Sequence, residues 1–370
     1  MIMNQGILRE QDSIKALLNG TIRAVINCEA TKIRSHAFAT CSYLTQVDLP
    51  LCSSIGERAF IECRSLLDVN IPECTTISEN AFFNCTSLKT INASKCTLVG
   101  KSAFVGCNSL SSIDMPLCSK ISNYGFYGAN LKSINLPKCT TISNDAFTDC
   151  NMTTLNLPEC ISIGNEAFTG CTSMHTIDLP KCTTIGNSAF YQCFKLSSAI
   201  FPNCISIGRS AFCYCSALTT VDLPKCTSIA SYTFYSCRRL SSVTLPNCIN
   251  IGTSAFCLCS TLYDINLPKC TSIASYAFSS CRDLTQVIIP ECTFIDRSAF
   301  YDCSHLLYLT LSGSSVCSLP YSNAFAYTPI AGYATQAKEY GTIYVPASLL
   351  TAYRTAPNWS YFSNRIVGYT

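Results

Sequence analysis

The chain has 370 residues, of which 48% are hydrophobic and only 13% charged, and its 25 basic and 22 acidic residues leave a formal net charge of +3. Neither sign gathers into a block, which excludes the electrostatic footprint that nucleic acid or an anionic membrane surface attracts. So apolar a chain has material for a continuous core and little charge to keep an open end soluble, so protected ends are expected.

Residues 1–12 carry charges where an export signal needs an apolar stretch of roughly 7 to 15 residues, so no Sec-type signal is expected. No later run approaches the roughly 18 to 20 apolar residues that span a bilayer, so neither membrane insertion nor a C-terminal anchor is expected. Residues 1–23 are read as an N-terminal cap. Within it, residues 10–18 make a short amphipathic helix whose Ile14, Leu17 and Leu18 cover the first rung.

From there phenylalanine recurs at 38, 60, 82, 104, 126, 147, 168, 190, 212, 234, 256, 278 and 300. A period of 22 over residues 24–318 means one small unit stacked on copies of itself. Leu44-x-x-Val47-x-Leu49-Pro50-x-Cys52-x-x-Ile55-Gly56-x-x-Ala59-Phe60 shows the pattern. Val47-Asp48-Leu49 alternates as a short strand with one buried face, which Pro50 ends. Ile55-Gly56 reads as a second extended segment, and Ala-Phe-x-x-Cys as one helical turn placing Phe and Cys inward. The expected fold is therefore a leucine-rich-repeat solenoid, with a parallel β-sheet on one face and short strands and single helical turns on the other. Neighbouring strands lie ~4.8 Å apart, so thirteen rungs span on the order of 60 Å.

The spacing drops to 21 between Phe126, Phe147 and Phe168, where one residue is missing after each turn, near Ala129 and Asn151. A small change of curvature is expected there. Residues 319–370 are read as a degenerate last repeat around Phe325, followed by a cap. In that cap Gly341-Thr-Ile-Tyr-Val-Pro346 forms a strand, Ala347 to Tyr353 a helix, and the only tryptophan, Trp359, seals the stack.

Of 28 cysteines, twelve lie three residues after a repeat Phe and thirteen lie eight before one, leaving Cys28, Cys213 and Cys257 outside both rows. Two ladders one rung apart do not converge as metal ligands must. Parallel Cβ atoms one rung apart also exceed the usual ~3.8 Å of a bridge, so the rows are read as small buried hydrophobes of a chain assembled under reducing conditions. Cys213 and Cys257 are expected to point outward.

The outward strand row reads Asp48, Asn70, Asn92, Asp114, Asn135, Asn156, Asp178, Ile200, Asp222, Thr244, Asn266, Ile288, Thr310, with no two Asp adjacent. Lysines in a second row, such as Lys95, Lys138 and Lys181, also never adjoin one another. Both patterns avoid stacking like charges. Aromatics collect elsewhere, flanking the turn: Tyr124, Tyr127, Tyr191, Tyr214, Tyr232, Tyr235, Tyr276 and Tyr301. Tyrosine is enriched where interfaces hold their energy, which makes this rim the candidate partner-binding surface and, equally, an ordinary half-buried edge. His36, His175 and His305 stand at unrelated repeat positions, and no nucleophile elbow or phosphate-cradling loop accompanies them, so no catalysis, cofactor or metal is expected.

The unit resembles the BspA-type leucine-rich repeats, as in Met174-His-Thr-Ile-Asp-Leu-Pro-Lys-Cys-Thr-Thr-Ile-Gly-Asn-Ser-Ala-Phe190, and the likeness covers about four fifths of the chain. The segment from Gly341 to Trp359 is similar to a terminal module that accompanies such repeats in gut bacteria and their phages. The resemblance implies a surface-exposed scaffold for adhesion, binding a protein or a glycan. A structural or receptor-binding component of a phage particle and a cytosolic interaction protein are the alternatives.

Overall fold

The computed structural model describes residues 24–26, 29–333 and 339–370. The expected helix at 10–18 and Cys28 lie outside them. The fold is a parallel-strand β-solenoid of about 15 turns with few helices, in the leucine-rich-repeat class. It divides into two compact units, Met1–Cys182 and Thr183–Thr370.

In the first unit, each rung contributes a three-residue strand and a two-residue strand to separate parallel ladders. The three-residue strands Ala24–Ile26, Gln46–Asp48, Asp68–Asn70, Thr90–Asn92 and Ser112–Asp114 form one sheet in chain order. The central residue of each points inward; Val47 and Val69 are 1% and 2% exposed. The two-residue strands run from Lys32–Ile33 to Ser162–Ile163 without a break.

The shortened rungs leave a local mark. Ser133–Asn135 and Thr154–Asn156, the two strands that follow the shortened loops, pair with each other in a sheet of their own. The missing residue lies between the Phe turn and the three-residue strand, so it offsets that strand and spares the two-residue ladder. In the second unit the three-residue ladder also breaks, between Ser242–Thr244 and Asp264–Asn266; nothing in the rung spacing there accounts for it.

Inside each unit the phenylalanines form a column. Phe38, Phe60, Phe82, Phe104, Phe126, Phe147 and Phe168 are fully buried. Phe38 and Phe60 lie 5.2 Å apart between ring centroids with planes 4° from parallel, and Phe256 and Phe278 repeat this at 5.2 Å and 2°. The segment around each Phe is a pair of linked turns in place of the expected helical turn. Residues two before and two after the Phe take left-handed backbone angles, as at Arg58 (φ 51°) and Glu62 (φ 57°). Alternate amides then close local turns, Ile61 N to Arg58 O at 3.2 Å, or reach the next rung, Phe60 N to Ala81 O at 2.8 Å. A helical turn would turn those amides back onto their own segment, while the stack places a carbonyl of the next rung within reach.

The two cysteine rows bond differently. Cys63 Sγ donates to Phe38 O at 3.0 Å and Cys107 Sγ to Phe82 O at 3.2 Å, stitching adjacent rungs, whereas Cys52 Sγ turns to Ser54 O on its own rung at 3.3 Å. All 27 cysteines of the described residues are free thiols.

The second unit ends in a closing layer. Strand Thr342–Pro346 pairs with Tyr308–Thr310 on one side and Ile366–Tyr369 on the other. A short helix, Leu350–Thr355, carries Tyr353, whose hydroxyl accepts from Cys317 N at 3.0 Å, and Trp359 Nε1 donates to Cys317 O at 2.6 Å. Trp359 is 1% exposed and rests 6.0 Å from Phe325, the last ring of the column.

Candidate interaction surface

The strand face of the first unit carries two runs of side-chain hydrogen bonds. Asn70 Nδ2 donates to Asp48 Oδ1 and Asn92 Nδ2 to Asn70 Oδ1, both at 2.8 Å, and Asn156 repeats the contact on Asn135 at 2.7 Å. An amide both donates and accepts, so it extends a ladder that a carboxylate terminates. That adds a bonding reason to the like-charge reason for asparagine in this row. The groove along Gln46 to Asp114 holds about 530 Å³ and is lined by Asp, Asn, Thr and Ser over the buried Val and Ile. In the second unit the row is interrupted by exposed Ile200 and by Ile288.

The tyrosines gather into separate clusters. In the first unit Tyr124 and Tyr127 meet at 6.0 Å beside Phe83, Lys101, Val105 and Asp145, around a recess of about 540 Å³. Lys101 is already paired with Glu79 at 3.4 Å, and burial raises the Asp145 carboxyl above its ordinary pKa. In the second unit Tyr191, Tyr214, Tyr232 and Tyr235 wall a recess of about 340 Å³. Tyr214 stands edge-on to Tyr191 at 5.7 Å and to Tyr235 at 5.6 Å, and Tyr232 lies 5.9 Å from Tyr235. Tyr276 and Tyr301 lie outside this group, the first under Arg297 at 5.8 Å and the second edge-on to Tyr327 at 5.1 Å.

Tyr124, Tyr214, Tyr232 and Tyr276 all have φ between 58° and 64°, the left-handed position of their turns. That conformation costs a bulky residue roughly 1–2 kcal/mol. Cys213 corrects an expectation. It is 5% exposed, roofed by the tyrosines of its recess, while Cys257 is half-buried.

The repeat on which these clusters sit matches the family model for the BspA type leucine-rich repeat region over residues 31–151, 97–219, 140–249, 183–307 and 227–338. The chain belongs to the BspA-type leucine-rich repeat family. Among solved structures it is similar to a leucine-rich repeat protein from Bacteroides ovatus, at 24% identity over 74% of this chain and 87% of that one, with a TM-score of 0.45. A leucine-rich cell surface protein from Faecalibacterium prausnitzii matches at 23% over 79% of each chain, TM-score 0.40. The pneumococcal vaccine antigen PcpA matches at 14% over 94% of this chain and 78% of its own, TM-score 0.35. No curated protein matches the chain.

Two features of this BspA-type array escape a reading based on the 22-residue unit alone. Residues 159–202, 203–246 and 247–290 repeat with a period of 44, seen in Ile161, Ile205 and Ile249 alternating with Thr183, Thr227 and Thr271 after the ladder cysteine. The second feature is Arg209, whose guanidinium lies 5.1 Å over the Tyr232 ring and lines the recess. Its signal is charge balance by rung: residues 183–260 contain Lys195, Arg209, Lys225, Arg238 and Arg239 against Asp222 alone. Among the described residues no cluster of three or more His, Cys, Asp and Glu is placed to hold a metal, and no helix is long and apolar enough to cross a membrane.

Proposed function

We propose that this chain is a non-enzymatic interaction scaffold that binds a partner macromolecule through its tyrosine-bearing edge. The observation that carries the reading is the recess of Tyr191, Tyr214, Tyr232 and Tyr235, in which four half-exposed aromatic rings and an arginine meet on successive rungs. Tyrosine and arginine are the residues that dominate binding energy at interfaces, and rings held by one another lose little freedom on contact.

The test is retention on protein and glycan arrays by the whole chain and by a Tyr232→Ser, Tyr235→Ser variant. Selective retention by the parent that falls at least about tenfold in the variant is the expected result. Equal retention by both chains removes the recess from the reading. A second reading, a component of an assembled particle, draws on the free thiols, which suit assembly in a reducing compartment before release.

A further inference from the structure

We infer that the recess around Arg209 is the docking site for an acidic, extended segment of a partner protein. This rests on the scaffold reading and names its partner chemistry. The five cations of residues 183–260 face one carboxylate in that stretch, and none of them takes part in an ion pair among the described residues. Two of them have neutral partners, Lys225 Nζ with Asn203 Oδ1 at 2.6 Å and Arg238 Nε with Ser236 Oγ at 3.2 Å. Arg238 stands on the same rung as Tyr232 and Tyr235, so positive charge flanks the recess as well as lining it.

Arg209 is held for the task. Its amide donates to Asn187 Oδ1 at 2.8 Å, and the Tyr232 ring supports one face of its guanidinium. No carboxylate pairs with it, so the planar fork has its donors available for a carboxylate in two-point contact. Tyr191 and Tyr235 line the same recess, and burial raises their hydroxyls further above an ordinary pKa of about 10 that already keeps them protonated at neutral pH. A volume of about 340 Å³ admits a few side chains and no folded element, which selects an extended segment. The recess at Tyr124 supplies the contrast, since its lysine is already neutralised by Glu79 and its wall contributes Asp145.

The experiment screens a random bead-displayed peptide library, with heparin and polysialic acid as glycan probes, against the full chain and its Arg209→Gln, Arg209→Lys, Arg297→Gln and Tyr232→Ser, Tyr235→Ser variants, each checked by circular dichroism. The expected result is enrichment of peptides with Asp or Glu next to an apolar or aromatic residue. Their affinity falls at least about tenfold in R209Q, partly recovers in R209K, is unchanged in R297Q and declines with salt. Enrichment with no acidic bias, or equal enrichment on R209Q, overturns the inference. If those peptides still depend on Tyr232 and Tyr235, the scaffold reading stands without it. Glycans retained in place of peptides through Arg209 reassign the site to an anionic sugar and overturn the peptide assignment. Retention of no probe by the parent defeats both readings.

Discussion

Each of the two units has the same kind of interior, and they differ in how they treat charge. In the first, Lys95 and Lys181 pair with Glu73 and Glu159, each at 2.7 Å, and Arg58, Arg64 and Lys101 also have carboxylate partners. In the second, Lys225 and Lys269 occupy the same repeat position and find the amides of Asn203 and Asn247 at 2.6 and 2.7 Å. The backbone is indifferent to this exchange, because an exposed ion pair contributes only about 0–1 kcal/mol and an amide contact serves as well. What changes is the field: five cations of the first unit have a carboxylate partner, whereas the second unit pairs only Arg282 with Asp302 among the described residues, and residues 183–260 leave their cations without one beside four tyrosines. Identical stacking is therefore compatible with different surfaces, and partner information belongs to positions that the stack does not constrain.

The comparison breaks most severely if the interiors differ, and alkaline pH tests that. Burial pushes the thiols of Cys74, Cys85 and Cys118 up to about 12 in the first unit, and those of Cys248 and Cys270 to about 12 in the second. An unfolded thiol titrates near 8.5, so between that pH and about 12 the folded chain holds protons that the unfolded chain has lost. Their contribution is complete below about pH 8.5 and is lost as pH rises, at about 1.4 kcal/mol per pH unit for each titrating thiol. Steep unfolding above about pH 9 is expected in both units together. Fluorescence of Trp359 reports the second unit, far-ultraviolet circular dichroism reports both, and separated transitions would end the claim that the two cores are equivalent.

A more local test uses the aromatic column. Phe104→Ala and Phe256→Ala each remove a fully buried ring stacked on both sides and are expected to cost about 3–5 kcal/mol in denaturant titrations. Similar values support equivalent packing. A cost below about 1 kcal/mol in one unit would mean that its column is loosely held.

The shared interior was legible in the sequence because it repeats: Phe60, Cys63 and Ile55 recur at fixed offsets, and burial admits few alternatives at each. The turn around Phe was not, because Arg58 and Glu62 have no left-handed preference, and only amides of a neighbouring rung explain their conformation. The eight tyrosines were visible as a row, but nothing local reveals that Tyr191, Tyr214, Tyr232 and Tyr235 form one recess while Tyr276 and Tyr301 stand apart. Arg209 was missed because one arginine in a repeat has no pattern. Its meaning comes from the missing carboxylates around it.

The smallest effect sharpens the contrast between the strand faces. Asn92→Asp removes the donor that Asn70 Oδ1 accepts and sets a carboxylate in register with Asp114. Thr244→Asp sets a carboxylate in register with Asp222 and breaks no side-chain ladder. Like charges on adjacent strands cost about 0.2–1 kcal/mol, and the lost hydrogen bond adds about 0.5–1 kcal/mol at the first site alone. Salt screens repulsion and does not restore a missing donor. In thermal melts at low and high salt, the Thr244 variant should regain nearly all of its loss and the Asn92 variant only part. If both recover fully, the asparagine row contributes no bonding of its own, and avoidance of like charge is the whole reason for it.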